Sequence, residues 1–408
     1  MKVLITTIFA YPPKGGLGKY IKELKSGLEQ EGHTVHILAR NGDEYHIIRG
    51  NRQYPLKMKK LDRRNASFLS SRWGMGNQVQ LYFKKIRDES TKFLQAVQAI
   101  DLSQYQIIHA QDIVSASVLR VYKPSVIPLV LTVHGCVTAE YYYYGYIRPH
   151  SPEMKILSSF ESGVIQQCEQ TIVPSKWLLG VYEKCEISTQ NMKIISNGIN
   201  IPRFDAQMNA QTGLKSPSNK TIIICTGRLE KVKGQHTLLD ALARLKKIRK
   251  DWVCWIVGRG EAKRELQKKS KRLGIDDSVK FLGRRYDVPA LLKQAHIFVI
   301  PSLEENYPYS LVEAQIAGKA IVASQTGGIT EMVKHDVNGL LFPAGNSKKL
   351  YEEVKRLFKD PDLQKRLGNE AKAWGSQQFS LDTMTKQVID IYNNALESNT
   401  NTVNKGTD

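Results

Sequence analysis

Two glutamates, Glu305 and Glu313, stand eight positions apart in PSLEENYPYSLVEAQIAG (301–318), where a strand-like run gives way to a helical pattern. A carboxylate in the loop after a strand can accept hydrogen bonds from sugar hydroxyls, while free N–H groups at a helix start face an anion. Ser310 and Glu313 also have the spacing of a capping box, which gives Glu313 a purely structural alternative. Glu305 has no comparable local task. In TGRLEKVKG (226–234), Arg228 and Lys233 flank a turn that ends at Gly234. A planar fork of donors and a mobile point charge together suit a diphosphate. In PPKGGLGKYIKEL (12–24), Gly15, Gly16 and Gly18 open a helix, so backbone N–H groups can approach a phosphate at the positive end of its dipole. Their spacing is not that of a dinucleotide fingerprint. His134 closes the run LTVH, where an imidazole either satisfies the backbone or does chemistry.

These residues need strands and helices to hold them. The near-continuous apolar runs at 3–9, 34–39, 106–110, 128–133, 171–174 and 193–196 predict buried strands, with helical stretches between most of them. A second set follows at 221–227, 252–258, 279–283, 296–302 and 320–324, again separated by helices. Such alternation predicts βαβ units and parallel sheets, with ligands outside the carboxyl ends of the strands. The polar, turn-rich stretch 201–220 reads as a linker between an N-terminal domain, 1–200, and a C-terminal domain, 221–380. A helix is expected at 381–396 and a disordered tail at 397–408, which lacks a sustained apolar pattern.

The net charge is +20, and within the first half the stretch 40–92 carries 13 Lys and Arg against 5 Asp and Glu, with Trp73, Met75, Tyr82 and Phe83 interspersed. That stretch reads either as a solvated loop and helix or as a face for an anionic membrane. A nucleic-acid binder is disfavoured because the basic residues lack interleaved stacking aromatics. The opening residues read as a strand instead of a signal peptide, no apolar run reaches bilayer length, and a cytoplasmic location is expected. Five cysteines without metal-ligand spacing predict free thiols and no zinc site. DPD (360–362) matches a metal-binding D-x-D pattern, but its position after an amphipathic stretch predicts a helix boundary.

Taken in order, GGLG (15–18), LTVHG (131–135), SNGI (196–199), TGRLEKVKG (226–234), VGRGE (257–261), FLGRRYDVPALL (281–292), ENYPYSLVE (305–313), GGITEMV (327–333) and NGLLF (338–342) resemble the retaining glycosyltransferases of family 4 over nearly the whole chain. The resemblance implies a GT-B fold, two doubly wound Rossmann-like domains facing each other across a cleft, with the helix 381–396 crossing back to the first domain. It implies that Arg228 and Lys233 hold the diphosphate, that Glu305 contacts the donor sugar and Glu313 the ribose, and that Asn306, Tyr307, Pro308, Tyr309 and Ser310 complete the donor loop. His134 would lie beside the transferred sugar, Gly15 and Gly16 near the phosphates, and Arg284 near the base. Arg259 departs from the acidic residue often found there. His109, Asp112 and Tyr143 are candidates on the acceptor side; Glu331 reads equally as a first-turn acid.

The implied activity is transfer of a sugar, with retention and without a metal or other cofactor, from a UDP- or GDP-linked donor to a hydroxyl of a glycan or lipid-linked acceptor, in cell-surface polysaccharide or glycolipid assembly. A sugar-nucleotide epimerase or phosphorylase of the same fold remains open, because its diphosphate and sugar contacts would look alike.

Overall fold

The computed structural model describes residues 1–12, 15–58, 77–214, 217 and 219–405. The chain forms two compact units, Met1–Ser196 joined by the segment from Asp382 onward, and Asn197–Leu381.

The first unit is built on eight strands: β1 (Lys2–Ala10), β2 (Thr34–Asn41), β3 (Glu44–Arg49), β4 (Arg52–Pro55), β5 (Ile107–Ala110), β6 (Leu129–Thr132), β7 (Gln170–Val173) and β8 (Met192–Ile194). Their order in the sheet is β4-β3-β2-β1-β5-β6-β7-β8. All pairs are parallel except β2–β3 and β3–β4, which form an antiparallel edge. Direction along the sheet reverses between β1 and β5, which makes that junction the switch point. Helix Gly16–Gln30 covers one face by burying Tyr20, Ile21, Leu24 and Leu28, a helical stripe. Helix Asn77–Gln98 contributes Phe93, Leu94 and Val97 to the core shared with Leu4, Leu38 and Ile108.

The second unit has six parallel strands: β9 (Thr221–Thr226), β10 (Trp252–Val257), β11 (Val279–Gly283), β12 (Ile297–Ile300), β13 (Ala320–Gln325) and β14 (Leu340–Pro343). They are ordered β11-β10-β9-β12-β13-β14, so the reversal falls between β9 and β12. Side chains alternate between two cores: Ile223 and Cys225 face one layer of helices, Ile222 and Ile224 the other.

Three features differ from the sequence reading. The supposed linker holds helix Ile201–Met208, whose cap Asn200 accepts a hydrogen bond from Arg203 N at 2.8 Å and whose Phe204 is buried in the second core. The 40–92 region is not simply loop and helix, because β3 and β4 form a hairpin ahead of helix Asn77–Gln98. Residues 59–76 of that basic stretch, with Trp73 and Met75, lie outside the described residues. The terminal helix spans Leu381–Lys405, beyond the predicted end at 396 and into the expected tail. From Asp382 on it groups with the first unit, burying Met384, Val388, Ile391, Tyr392 and Ala395.

Candidate functional site

In the second unit the chemistry collects at the switch point. The loop after β9 carries Arg228 and Lys233, and the loop after β12 carries Ser302 and Glu305. Lys233 Nζ donates to Glu305 Oε1 at 2.8 Å, and Ser302 Oγ donates to the same oxygen at 3.0 Å. The pair is largely shielded, with side-chain exposures of 18% and 12%. Beside it, burial pushes the Glu304 carboxyl up, with Lys233 pulling it down and Glu305 adding to the rise. Arg228 is exposed, its guanidinium 2.7 Å from Glu230, while its carbonyl accepts from Gln235 Nε2 at 2.9 Å. Lys233 thus borders Glu305, while Arg228, on the same loop, pairs with Glu230.

Glycines bring these loops together. A Cβ on Gly258 would lie 1.8 Å from the Gly227 carbonyl oxygen, one on Gly260 2.1 Å from that of Leu229, and one on Gly234 1.9 Å from that of Pro301. A Cβ on Gly327 would meet the Glu305 carbonyl oxygen at 1.9 Å, and that oxygen accepts from Gly328 N at 2.9 Å. Gly227, Gly234, Gly258 and Gly327 also have positive φ. Only a residue without a side chain permits this approach. Leu303 N donates to Val232 O at 2.7 Å, locking the two ligand loops edge to edge.

The remaining donor-loop residues divide by role. Helix Tyr309–Ile316 starts after Pro308, with no side-chain cap, so the Ser310–Glu313 capping box is not formed: Ser310 already lies inside the helix. Tyr309 is buried and its hydroxyl donates to Gly198 O at 3.3 Å, a packing role. Tyr307 packs edge-on against Phe379, and its carbonyl accepts from Asn197. Asn306 is half-buried in the same loop. Arg284 is exposed and stacks over Tyr286 at 4.8 Å, while Arg259, also exposed, lends its carbonyl to Leu229 N. Glu331 does sit in the first turn of a short helix, Ile329–Met332. Asp360 caps the helix Pro361–Gln378 by accepting from Leu363 N at 2.8 Å, the boundary read from DPD.

In the first unit, Gly15 has φ 113° and precedes helix Gly16–Gln30, which has no side-chain cap. A cavity of about 480 Å³ lies beyond β1, β5 and β6, lined in part by Phe9, Tyr82, Gln111, His134 and Tyr141. His134 Nε2 is 3.3 Å from Gln111 Oε1, and its ring meets Tyr20 edge-on at 4.9 Å. Desolvation lowers its pKa to about 4, so the imidazole is neutral at pH 7. Gln111 is 1% exposed and its Nε2 has no hydrogen-bond partner among the described residues.

Two acceptor-side candidates are engaged by hydrogen bonds within the protein, and Asp112 also lines the cavity beside His134. His109 is fully buried, with Nδ1 2.7 Å from the Tyr392 hydroxyl and Nε2 2.7 Å from Thr132 Oγ1, so both ring nitrogens are taken by the protein. Asp112 caps helix Ile113–Tyr122: one oxygen accepts from Ser115 N at 2.7 Å, the other from Ile8 N at 3.0 Å. A cap is also what a strand-to-helix junction asks for. Tyr143 is exposed at the end of helix Val137–Tyr143. The sequence reading missed Ser302, Gln111 and the buried Glu161, whose carboxylate accepts from Val137 N, Thr138 N and Thr138 Oγ1. Ser302 and Gln111 each follow a strand, a signal that was available; Glu161 sits inside a helix and gave none.

All five cysteines are free and buried. Among the described residues no three His, Cys, Asp or Glu side chains are grouped to hold a metal ion, and no helix is long and apolar enough to cross a membrane.

Residues 14–203 match the family model described as Glycosyltransferase Family 4, and residues 208–374 that of Glycosyl transferases group 1. The chain is 27% identical to an uncharacterized glycosyltransferase of Methanocaldococcus jannaschii, over 97% of this chain and 99% of that one. Among solved structures it resembles sucrose-phosphate synthase from Thermosynechococcus elongatus, with TM-score 0.75 at 19% identity, covering 97% of this chain and 99% of that one. It also resembles Anabaena HepE in complex with UDP-glucose, with TM-score 0.69 at 22% identity, covering 96% of this chain and 98% of that one. Two parallel-sheet units with these matched models leave one assignment: the chain belongs to the family-4 glycosyltransferases of the GT-B fold.

Proposed function

We propose that the protein transfers a hexosyl group, with retention of anomeric configuration, from a nucleoside diphosphate sugar to a hydroxyl of a glycan or lipid-linked acceptor in cell-surface polysaccharide or glycolipid assembly. The observation that carries the reading is the Lys233–Glu305 pair at the switch point of the second sheet, with Arg228 on the same loop. Lys233 and Arg228 neutralise charge that builds on the departing diphosphate, and Glu305 accepts hydrogen bonds from the donor sugar. Glu313, about one turn into the next helix, is assigned to the ribose hydroxyls and Arg284 to the base. The likeness to HepE, a protein solved with UDP-glucose, favours a uridine donor.

The acceptor oxygen attacks the anomeric carbon on the face from which the diphosphate departs. The bond to the diphosphate oxygen breaks, and a phosphate oxygen takes the acceptor's proton. With two cations for the leaving group, no divalent metal is required. In the first unit, the neutral imidazole of His134 offers a hydrogen bond to a sugar hydroxyl, and the N–H groups after Gly15 and Gly16 face phosphate.

The test is turnover of UDP-glucose and GDP-mannose with a glycan acceptor in EDTA, with the product's anomeric proton followed by NMR. Arg228→Ala and Glu305→Ala each lower turnover by on the order of a hundredfold without loss of fold. Full turnover in either variant removes the site assignment. Donor consumption without an acceptor, giving a changed sugar nucleotide, would identify an epimerase instead.

A further inference from the structure

One turn of the first unit spends aromatic surface on solvent. Tyr142, Tyr143, Tyr144 and Tyr146 expose between 42% and 61% of their area. Tyr146 and Tyr144 are the outer end of a run of rings that starts in the interior, and Tyr142 and Tyr143 form a separate pair beside it. Ring centroids step from Phe160 to Phe83 (5.5 Å), Tyr82 (5.6 Å), Tyr141 (5.1 Å), Tyr146 (5.5 Å) and Tyr144 (5.9 Å). The inner rings pack against Val79, Ile147 and Leu157, and Tyr82 and Tyr141 line the cavity that holds His134 and Gln111.

Backbone hydrogen bonds brace the turn. Glu161 fixes the start of helix Val137–Tyr143, and the turn closes through Tyr144 N to Glu140 O (2.9 Å) and Tyr146 N to Tyr141 O (2.9 Å), with Gly145 at φ 72°. A braced row of rings loses little freedom when it engages a partner. Tyrosine rings are amphipathic: the faces take the apolar C–H surface of a pyranose and the hydroxyls reach its polar edge. Exposed aromatic patches of this kind mark binding surfaces, not ordinary solvent faces.

We infer that this row binds an extended neutral oligosaccharide and leads its terminal residue to the cavity beside His134 and Gln111. The inference rests on the transferase reading and deepens it: the acceptor is a chain of sugars, not a small polyol or acid. Continuity between the exposed rings and the cavity wall carries the argument. The orphaned Gln111 Nε2 supplies an amide at the cavity end.

The experiment titrates maltohexaose, cellohexaose and glucose into the full-length protein and into Tyr142→Ala/Tyr144→Ala/Tyr146→Ala, with UDP titrated in parallel. Wild type binds one hexaose at least about tenfold more tightly than glucose, and the triple alanine variant loses that preference while UDP affinity is unchanged. The matching Tyr→Phe triple, which keeps the ring faces, retains it. Equal affinity for hexaose and glucose, or a hexaose affinity untouched by the alanines, overturns the proposal. So does sedimentation with phosphatidylcholine–phosphatidylglycerol vesicles that the alanines abolish without any hexaose preference, since the face would then dock on a membrane. Loss of UDP binding in wild type would strike the donor reading instead, and the two failures are told apart.

Discussion

At the residue scale, His109 is held by the protein at both ring nitrogens and is not among the side chains proposed for chemistry. His109, wedged between Thr132 and Tyr392, has its pKa lowered to about 3 by desolvation, with His134 adding to the effect. In the unfolded chain the same group titrates near its ordinary value. Between those two values the unfolded state binds the extra proton, so stability rises with pH and is lost as pH falls from about 6.5. His36 and His134, both lowered to about 4, act with the same sign. Asp112 and Glu161, both raised by burial, act with the opposite sign. The urea midpoint therefore falls between pH 6.5 and 4.5, and the fall is shallower in His109→Gln; identical slopes would contradict the assignment.

At the element scale, the glycine contacts decide whether the ligand loops can meet. Gly258→Ala places a methyl group against the Gly227 carbonyl and adds the strain of φ 150°, so the loss is roughly 3 kcal/mol. Gly15→Ala meets nothing within 4 Å and carries backbone strain alone, on the order of 1 kcal/mol. Urea denaturation compares the two; an equal cost would show that the close approach at Gly258 is not what constrains the loop. The same scale explains what was legible in the sequence. Strands such as β1, β9 and β10, buried on both faces, appear as unbroken apolar runs and were found. The hairpin strand β4 is exposed at all four positions, so the sheet edge it forms left no hydrophobic signature. Helix Ile201–Met208 buries one large residue, Phe204, too little for a period to show. The helix after β12 starts at Tyr309 because Pro308 sets the preceding turn, and the sequence offered Ser310 as a more familiar cap. The polar end of the terminal helix gave no apolar signal, so its extension to Lys405 was invisible. Arg228, Lys233 and Glu305 were legible because charged residues directly after apolar strands are conspicuous; Ser302 is small and was overlooked.

At the scale of the whole molecule, the chain leaves the first unit near Ser196 and rejoins it at Asp382. Within the second unit the two ends pair, with Ile199 N donating to Phe379 O at 2.9 Å and Leu381 N to Ile199 O at 3.1 Å. The returning helix is anchored by Tyr392, fully buried and bonded to His109. Tyr392→Ala opens a cavity at that anchor and costs about 3 kcal/mol or more. By calorimetry, the transition of the first unit moves down while that of the second stays; equal movement of both would contradict the division into units.

The central claim is that the loops after β9 and β12 hold the diphosphate of a sugar nucleotide through Arg228 and Lys233. Calorimetric titration of UDP and UDP-glucose in EDTA, into wild type, Arg228→Ala and Lys233→Ala, tests it most directly. The account predicts binding to wild type without divalent metal and at least about tenfold weaker binding to each variant. Undiminished affinity in both variants, or no binding to wild type until metal is restored, would contradict it.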